Sequence, residues 1–217
     1  MSKLLKKELR LAASPLSYWF LAFSLMTMIP GYPILVGGFF VCLGLFQSYQ
    51  NAREQNDVIY TALLPVAKTD IVRAKLGFTV LIEIAAWCLS AVLTLVRMTA
   101  LRDAPVFTQN AMMNANLVYL GWLAVLFGLF NLIFARGYFK TVYKLGRPFL
   151  TYAAVGFLAV GAAEVLHHLP GLGWLNTTGF DHPAGQVVFL CAGISLFLVM
   201  TGYTLFASVR SMERLDL

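Results

Sequence analysis

The sequence predicts an all-α, polytopic membrane protein with six transmembrane helices, and three observations carry that prediction. Hydrophobic residues make up 59% of the 217 and charged residues 12%, against roughly 45–50% and about 25% in soluble domains. Apolar residues in that excess cannot all be hidden in a core of this size, so lipid must be the main solvent. They fall in six long runs without period-2 alternation, which excludes a β-barrel. The cations are segregated: all of the 16 Lys and Arg except Arg97 and Arg102 lie in blocks flanking alternate ends of the runs. Those blocks are Lys3, Lys6, Lys7 and Arg10; Arg53, Lys68, Arg73 and Lys75; Arg136, Lys140, Lys144 and Arg147; and Arg210 with Arg214. Loops so enriched normally stay in the cytoplasm, which puts both termini inside a cell membrane and makes the number of crossings even. The net charge of +6 is thereby assigned to the membrane surface, and no nucleic-acid partner is expected.

Taken in order, residues 2–13 set Leu4, Leu5, Leu9 and Ala12 against Lys3, Lys6, Lys7 and Arg10. This pattern suits a helix on the anionic inner leaflet that turns in at Pro15. The spans follow at 11–29, 34–49, 78–96, 116–135, 149–166 and 186–207. A secretory signal is rejected, because no small-residue cleavage pattern ends the first run and five further spans follow it. The second run covers only about 24 Å at 1.5 Å per residue, short enough to call for extension into Gln50 and Asn51 or local thinning of the bilayer. A re-entrant hairpin of the first two runs is the competing reading, disfavoured because Pro30-Gly31-Tyr32-Pro33 makes a compact uncharged turn between basic flanks. The whole chain, 1–217, reads as one transmembrane domain, since the loops are too small for a separate core.

Chemistry-bearing motifs are sparse. No Gly-rich loop ends in Gly-Lys-Ser/Thr, so nucleotide must be bound elsewhere. His167, His168 and His182 share one outer loop with Asp181, but their spacing matches no metalloenzyme pattern, and no metal or catalytic residue is assigned. Cys42, Cys88 and Cys191 lie in apolar runs as packing groups. Gly193 near Ser195 reads as a small-residue helix contact. Glu83 is the one acid well inside a run, with Asn131 and Gln47 as further polar groups in spans. They line a pathway, meet a second subunit, or join helices by hydrogen bonds. Arg97, Arg102 and Glu164 fall near the outer boundary, within reach of headgroups.

The most informative stretch is 51–76, NAREQNDVIYTALLPVAKTDIVRAKL, a basic-side loop with an ordered mix of charged and apolar residues. Val58, Ile59, Ala62, Leu63 and Val66 recur at helical spacing, Pro65 breaks that helix, and Thr69-Asp70 is placed to cap the next. Residues 63–75, LLPVAKTDIVRAK, resemble a segment of the permease subunits of ATP-binding-cassette type-2 exporters, the type V fold, with Ala67 where that family has serine and Lys68 where it has arginine. The plan of a basic start, six spans and no nucleotide site matches as well. The resemblance implies a permease that is not itself an enzyme, partnered by a second permease, homodimeric or heterodimeric, and by separate ATPase subunits that hold ATP and Mg. It implies that 51–76 is a coupling segment in which Asp57, Tyr60, Thr61, Leu64, Pro65, Val66, Ala67 and Lys68 meet the ATPase. The rival expectations are an ion-coupled carrier using Glu83, a non-transporting scaffold, or a membrane enzyme using the outer histidines.

Overall fold

The computed structural model describes residues 2–215. Helix makes up 77% of the chain, and no strand occurs among the described residues. The basic start forms α1 (Ser2–Lys7) and continues as a π turn over Glu8–Ala12. Ser14 caps α2 (Pro15–Trp19) by accepting from Leu16 N at 3.3 Å, with Pro15 at the first helical position, where a missing N–H is no loss. The chain bends by 88° between Lys3–Leu11 and Pro15–Met28. It then tightens into a 3-10 helix over Phe20–Met28, which gains roughly 0.5 Å of rise per residue over an α-helix and so lengthens a short crossing.

After the turn at 30–33, α3 (Val36–Glu54) runs back along this segment, where the Ser17 and Ser48 hydroxyls meet at 2.6 Å. A short helix, α4 (Asp57–Ala62), and an exposed loop lead to α5 (Lys68–Thr99). This helix starts ten residues or so before the expected span at 78, and its cap is Ala67 in extended conformation, not Thr69-Asp70. Asp70 instead occupies the first turn, favourable to the helix dipole, 3.7 Å from Arg73.

Beyond α6 (Pro105–Thr108), Asn116 caps α7 (Leu117–Leu129) by accepting from Tyr119 N at 3.1 Å. A π turn over Phe130–Ala135 and α8 (Arg136–Phe139) complete that crossing. Then follow α9 (Gly146–Leu166), a 3-10 turn over Gly173–Asn176, and α10 (Pro183–Glu213). Four helical stretches are long and apolar enough to cross a membrane, Lys68–Thr99, Leu117–Phe139, Gly146–Leu166 and Pro183–Glu213, or five if the bent N-terminal pair counts as one. The remaining expected span, 34–49, falls in α3, whose C-terminal part carries Gln47, Gln50, Asn51, Arg53 and Glu54 and dilutes its hydropathy.

The core is aromatic. Phe39, Phe130, Phe134, Tyr138 and Tyr152 are buried between α3, the α7–α8 crossing and α9, with Phe46 stacked on Phe149 at 4.0 Å. α7 and α10 approach backbone to backbone, because a Cβ on Gly193 would collide with the Gly121 carbonyl. The outer face of α10 stays open, with Leu198, Val199 and Phe206 exposed. Contacts sort the loops into two ends. Residues of α1 and the π turn after it, α4, the start of α5 and Leu215 just past α10 meet at the basic end, and Thr27, Arg97, Asn114 and Asn176 meet at the other.

Candidate docking surface and intramembrane polar site

At the basic end four charges from three segments converge. Lys7 Nζ donates to Asp57 at 2.7 Å, Thr61 Oγ1 at 2.9 Å and Glu8 Oε1 at 3.1 Å. Lys75 Nζ, inside α5, donates to Glu8 Oε2 at 2.9 Å and lies 3.9 Å from Asp57. Lys75 is also 5.4 Å from the centre of the Tyr49 ring, whose hydroxyl meets Thr79 at 3.0 Å. Burial pushes the Glu8 carboxyl up, but Lys75 and Lys7 outweigh it and hold the carboxyl below its ordinary range. The amphipathic start therefore does more than rest on a surface: Leu5 and Leu9 pack on the core, Glu8 is buried, and Lys7, assigned by the sequence to the polar face, turns inward.

This cluster clamps α4 against α1 and α5 and fixes what the following loop presents. Of the eight positions in the segment singled out from the sequence, Asp57 is half-buried and Thr61 buried, both engaged by Lys7. Tyr60, Leu64, Pro65 and Ala67 are exposed; Val66 and Lys68 are half-buried. Leu63, 75% exposed, joins Tyr60 at 65% and Leu64 at 55%. Apolar side chains this open, on a loop that follows the ion-paired α4, form a small apolar knob. Lys68 donates to the Leu215 carbonyl and ties the knob to the end of the chain.

In the middle of the bundle, Asn131 Nδ2 donates to Glu83 Oε2 at 2.9 Å and to Thr201 Oγ1 at 3.1 Å. The triad links α5, the π turn and α10. The π turn, a feature that often marks functional positions, carries Asn131. Glu83 and Asn131 are buried, and Glu83 Oε1 and Asn131 Oδ1 have no hydrogen-bond partner among the described residues. Gln47 is half-buried on α3, and no hydrogen bond among the described residues joins it to this pair.

The opposite end corrects one expectation. Arg97 does not reach for headgroups: it is buried, donates to Thr27 O at 2.8 Å and Asn114 Oδ1 at 3.2 Å, and lies 4.0 Å over the Phe107 ring. An exposed stem would have allowed snorkelling, but the unpaired carbonyl ending the 3-10 stretch offers a stronger partner. Arg102 pairs with Asp181 at 3.1 Å, and Glu164 accepts from Met113 N at 2.8 Å. His167 and His168, their ring centres 4.1 Å apart and their planes tilted by 40°, line a depression with Asp181; His182 is not among its lining residues. Among the described residues no group of three or more His, Cys, Asp or Glu is placed to hold a metal ion.

The sequence model of the family described as "ABC-2 family transporter protein" matches residues 3–213. No curated protein and no solved structure matches the chain.

Proposed function

The chain belongs to the ABC-2 transporter family, and from that premise we propose that it is the membrane-spanning permease subunit of an ATP-driven exporter. Six crossings are part of the reading: it is supported by Thr27, at the far end of the 15–28 segment, accepting from Arg97 near the end of α5, while Ser14 N at its near end donates to Ser48 Oγ of α3 at 2.9 Å. The basic end faces the cytoplasm of the cell membrane, with both termini inside. A second permease, of the same or another chain, completes the pathway, and separate subunits bind and hydrolyse ATP with Mg. The residues 2–13 act as an interfacial helix and 51–76 as the coupling segment.

The observation that carries this reading is the exposed apolar tip at Leu63, Leu64 and Pro65 on a base clamped by Lys7, Glu8, Asp57 and Lys75. Buried ion pairs of this kind resist relative movement of the segments they join. A push on the tip by a closing ATPase passes into α5, and α5 carries Glu83 into the bundle, where its link to Asn131 moves with the packed helices. Co-purification tests it. Leu64→Asp should release the ATPase while the permease stays in the membrane at normal levels, and Arg147→Ala, in the other basic loop, should not. If Leu64→Asp holds the ATPase as tightly as the wild type, or the wild type captures none, the reading fails and a carrier or scaffold takes its place.

A further inference from the structure

At the basic end an open depression of about 510 Å³ lies between α10 and the crossing that the π turn and α8 complete. It is lined by Leu132 and Ile133 of the π turn, Arg136 and Gly137 of α8, Lys140 at its end, and Tyr203 of α10. Both polar and apolar surface face it. Along the chain the apolar pair comes first and the cations follow, four residues apart and so on one face of the turn. At about 1.5 Å per residue this stripe runs about 12 Å from Leu132 to Lys140. It starts inside Leu117–Phe139, a stretch apolar enough to cross a membrane, and ends just past it. One turn deeper than Tyr203, on the same face of α10, Val199 is 68% exposed and continues the apolar wall.

An unbalanced charge marks this place. Elsewhere at the same end Lys7 and Lys75 share Glu8 and Asp57, Arg53 lies 3.7 Å from Glu54, Arg73 lies 3.7 Å from Asp70, and Lys68 donates to the Leu215 carbonyl. Arg136 is half-buried with its guanidinium 5.0 Å from the centre of the Tyr203 ring, and among the described residues no acid or carbonyl accepts from it. Lys140 is exposed and likewise without an ion pair among those residues, and no Asp or Glu lines the depression. A half-buried guanidinium without a counter-ion is costly, and its planar fork of N–H donors matches the oxygens of a phosphate. A free phosphate would leave Leu132, Ile133 and Val199 uncovered, and a hydrocarbon would leave both cations unmet. An amphiphile with an anionic head meets both halves. We infer that this depression binds one anionic glycerophospholipid, its phosphate between Arg136 and Lys140 and its glycerol and first acyl carbons on Leu132, Ile133 and Val199. The leaflet it comes from depends on the orientation proposed above; the binding does not.

The test uses the full-length chain, delipidated in detergent and titrated with phosphatidylglycerol or with phosphatidylcholine of the same acyl chains, the retained molecules being counted by native mass spectrometry. The wild type should hold one phosphatidylglycerol saturably and prefer it about 25-fold, roughly fivefold from each cation. Arg136→Gln and Lys140→Gln should each cut the preference to about fivefold, and the double variant should abolish it. Lys144→Gln, an exposed lysine outside the depression, should keep the wild-type preference. Soluble glycerol phosphate, at the concentration of lipid that fills the site, should not displace it. A wild type that holds the two lipids equally overturns the proposal whether or not any variant folds. So does a double variant that keeps the preference. If Lys144→Gln lowers it as much as Arg136→Gln does, the attraction is diffuse and the site is refuted; if glycerol phosphate displaces the lipid, the depression is a site for a free phosphate ester and the lipid assignment is refuted. None of these measurements needs an ATPase, so failure to capture an ATPase and failure to bind the lipid are separate results.

Discussion

Lys75→Met should cost the fold about 3 kcal/mol. The Lys75 side chain is 3% exposed and that of Glu8 is 5%, so removing the ammonium leaves a carboxylate in a nearly dry site. Breaking a buried pair from one side costs roughly 3–5 kcal/mol. The lower end applies because Lys7 remains 3.1 Å from Glu8. At about 2–4 °C per kcal/mol for a chain of this size, the melting temperature in detergent should fall by about 6–12 °C. The double variant Glu8→Gln, Lys75→Met removes both charges and leaves Lys7 with Asp57 at 2.7 Å as a balanced pair. It should recover to within about 1 kcal/mol of the wild type, since replacing both members of a buried pair is often close to neutral. Thermal unfolding of the four proteins in the cycle measures this. If Lys75→Met melts within about 2 °C of the wild type, or if the double variant is as unstable as the sum of the singles, the clamp is not what joins these segments.

Lowering the pH should loosen the same site. The Glu8 carboxyl is held below its ordinary range, so its contribution is full above about pH 4.3 and is lost as pH falls through the lower folded value, a loss that Glu8→Gln should remove from the melting curve. Gly193→Ile should force α7 and α10 apart through the Gly121 carbonyl and cost several kcal/mol, whereas Gly202→Ala, with nothing within 4 Å, should melt like the wild type. Arg97→Met leaves the Thr27 carbonyl and Asn114 without their donor and should destabilise by about 2–4 kcal/mol, read in the same assay. Cysteines placed at Lys140 should react with an impermeant label only from the cytoplasmic side and those at Gly171 only from outside; the reverse pattern would invert the topology.

Hydropathy located the helices, because any segment crossing lipid must be apolar along most of its length. It did not show which charges would be buried in protein. The helix leading into the third span was expected to start at Thr69-Asp70 and α5 starts at Lys68, but that Lys75 within it pairs with Glu8 could not be read from hydropathy. Arg97 was misjudged for the same reason. A signal for the clamp was present: Glu8 is a lone acid in an otherwise basic start. Apart from the adjacent Lys7, its partner Lys75 is far away in sequence, and a single sequence carries no trace of the pairing. Glu83 and Asn131 were each legible as unusual in a span, but their contact depends on a π turn that no periodicity announces.

The clamp also sets a timetable for biosynthesis. Glu8 and Lys75 are 67 residues apart, and at about 5–20 residues per second the ribosome takes roughly 3–13 s to make the second after the first. For that interval the start of the chain has no partner for Glu8 in the bundle and must wait at the membrane surface on its own leucines and lysines. The first segment made therefore locks only after residues 51–76 and the start of α5 have emerged, while α7, α9 and α10 are still to come.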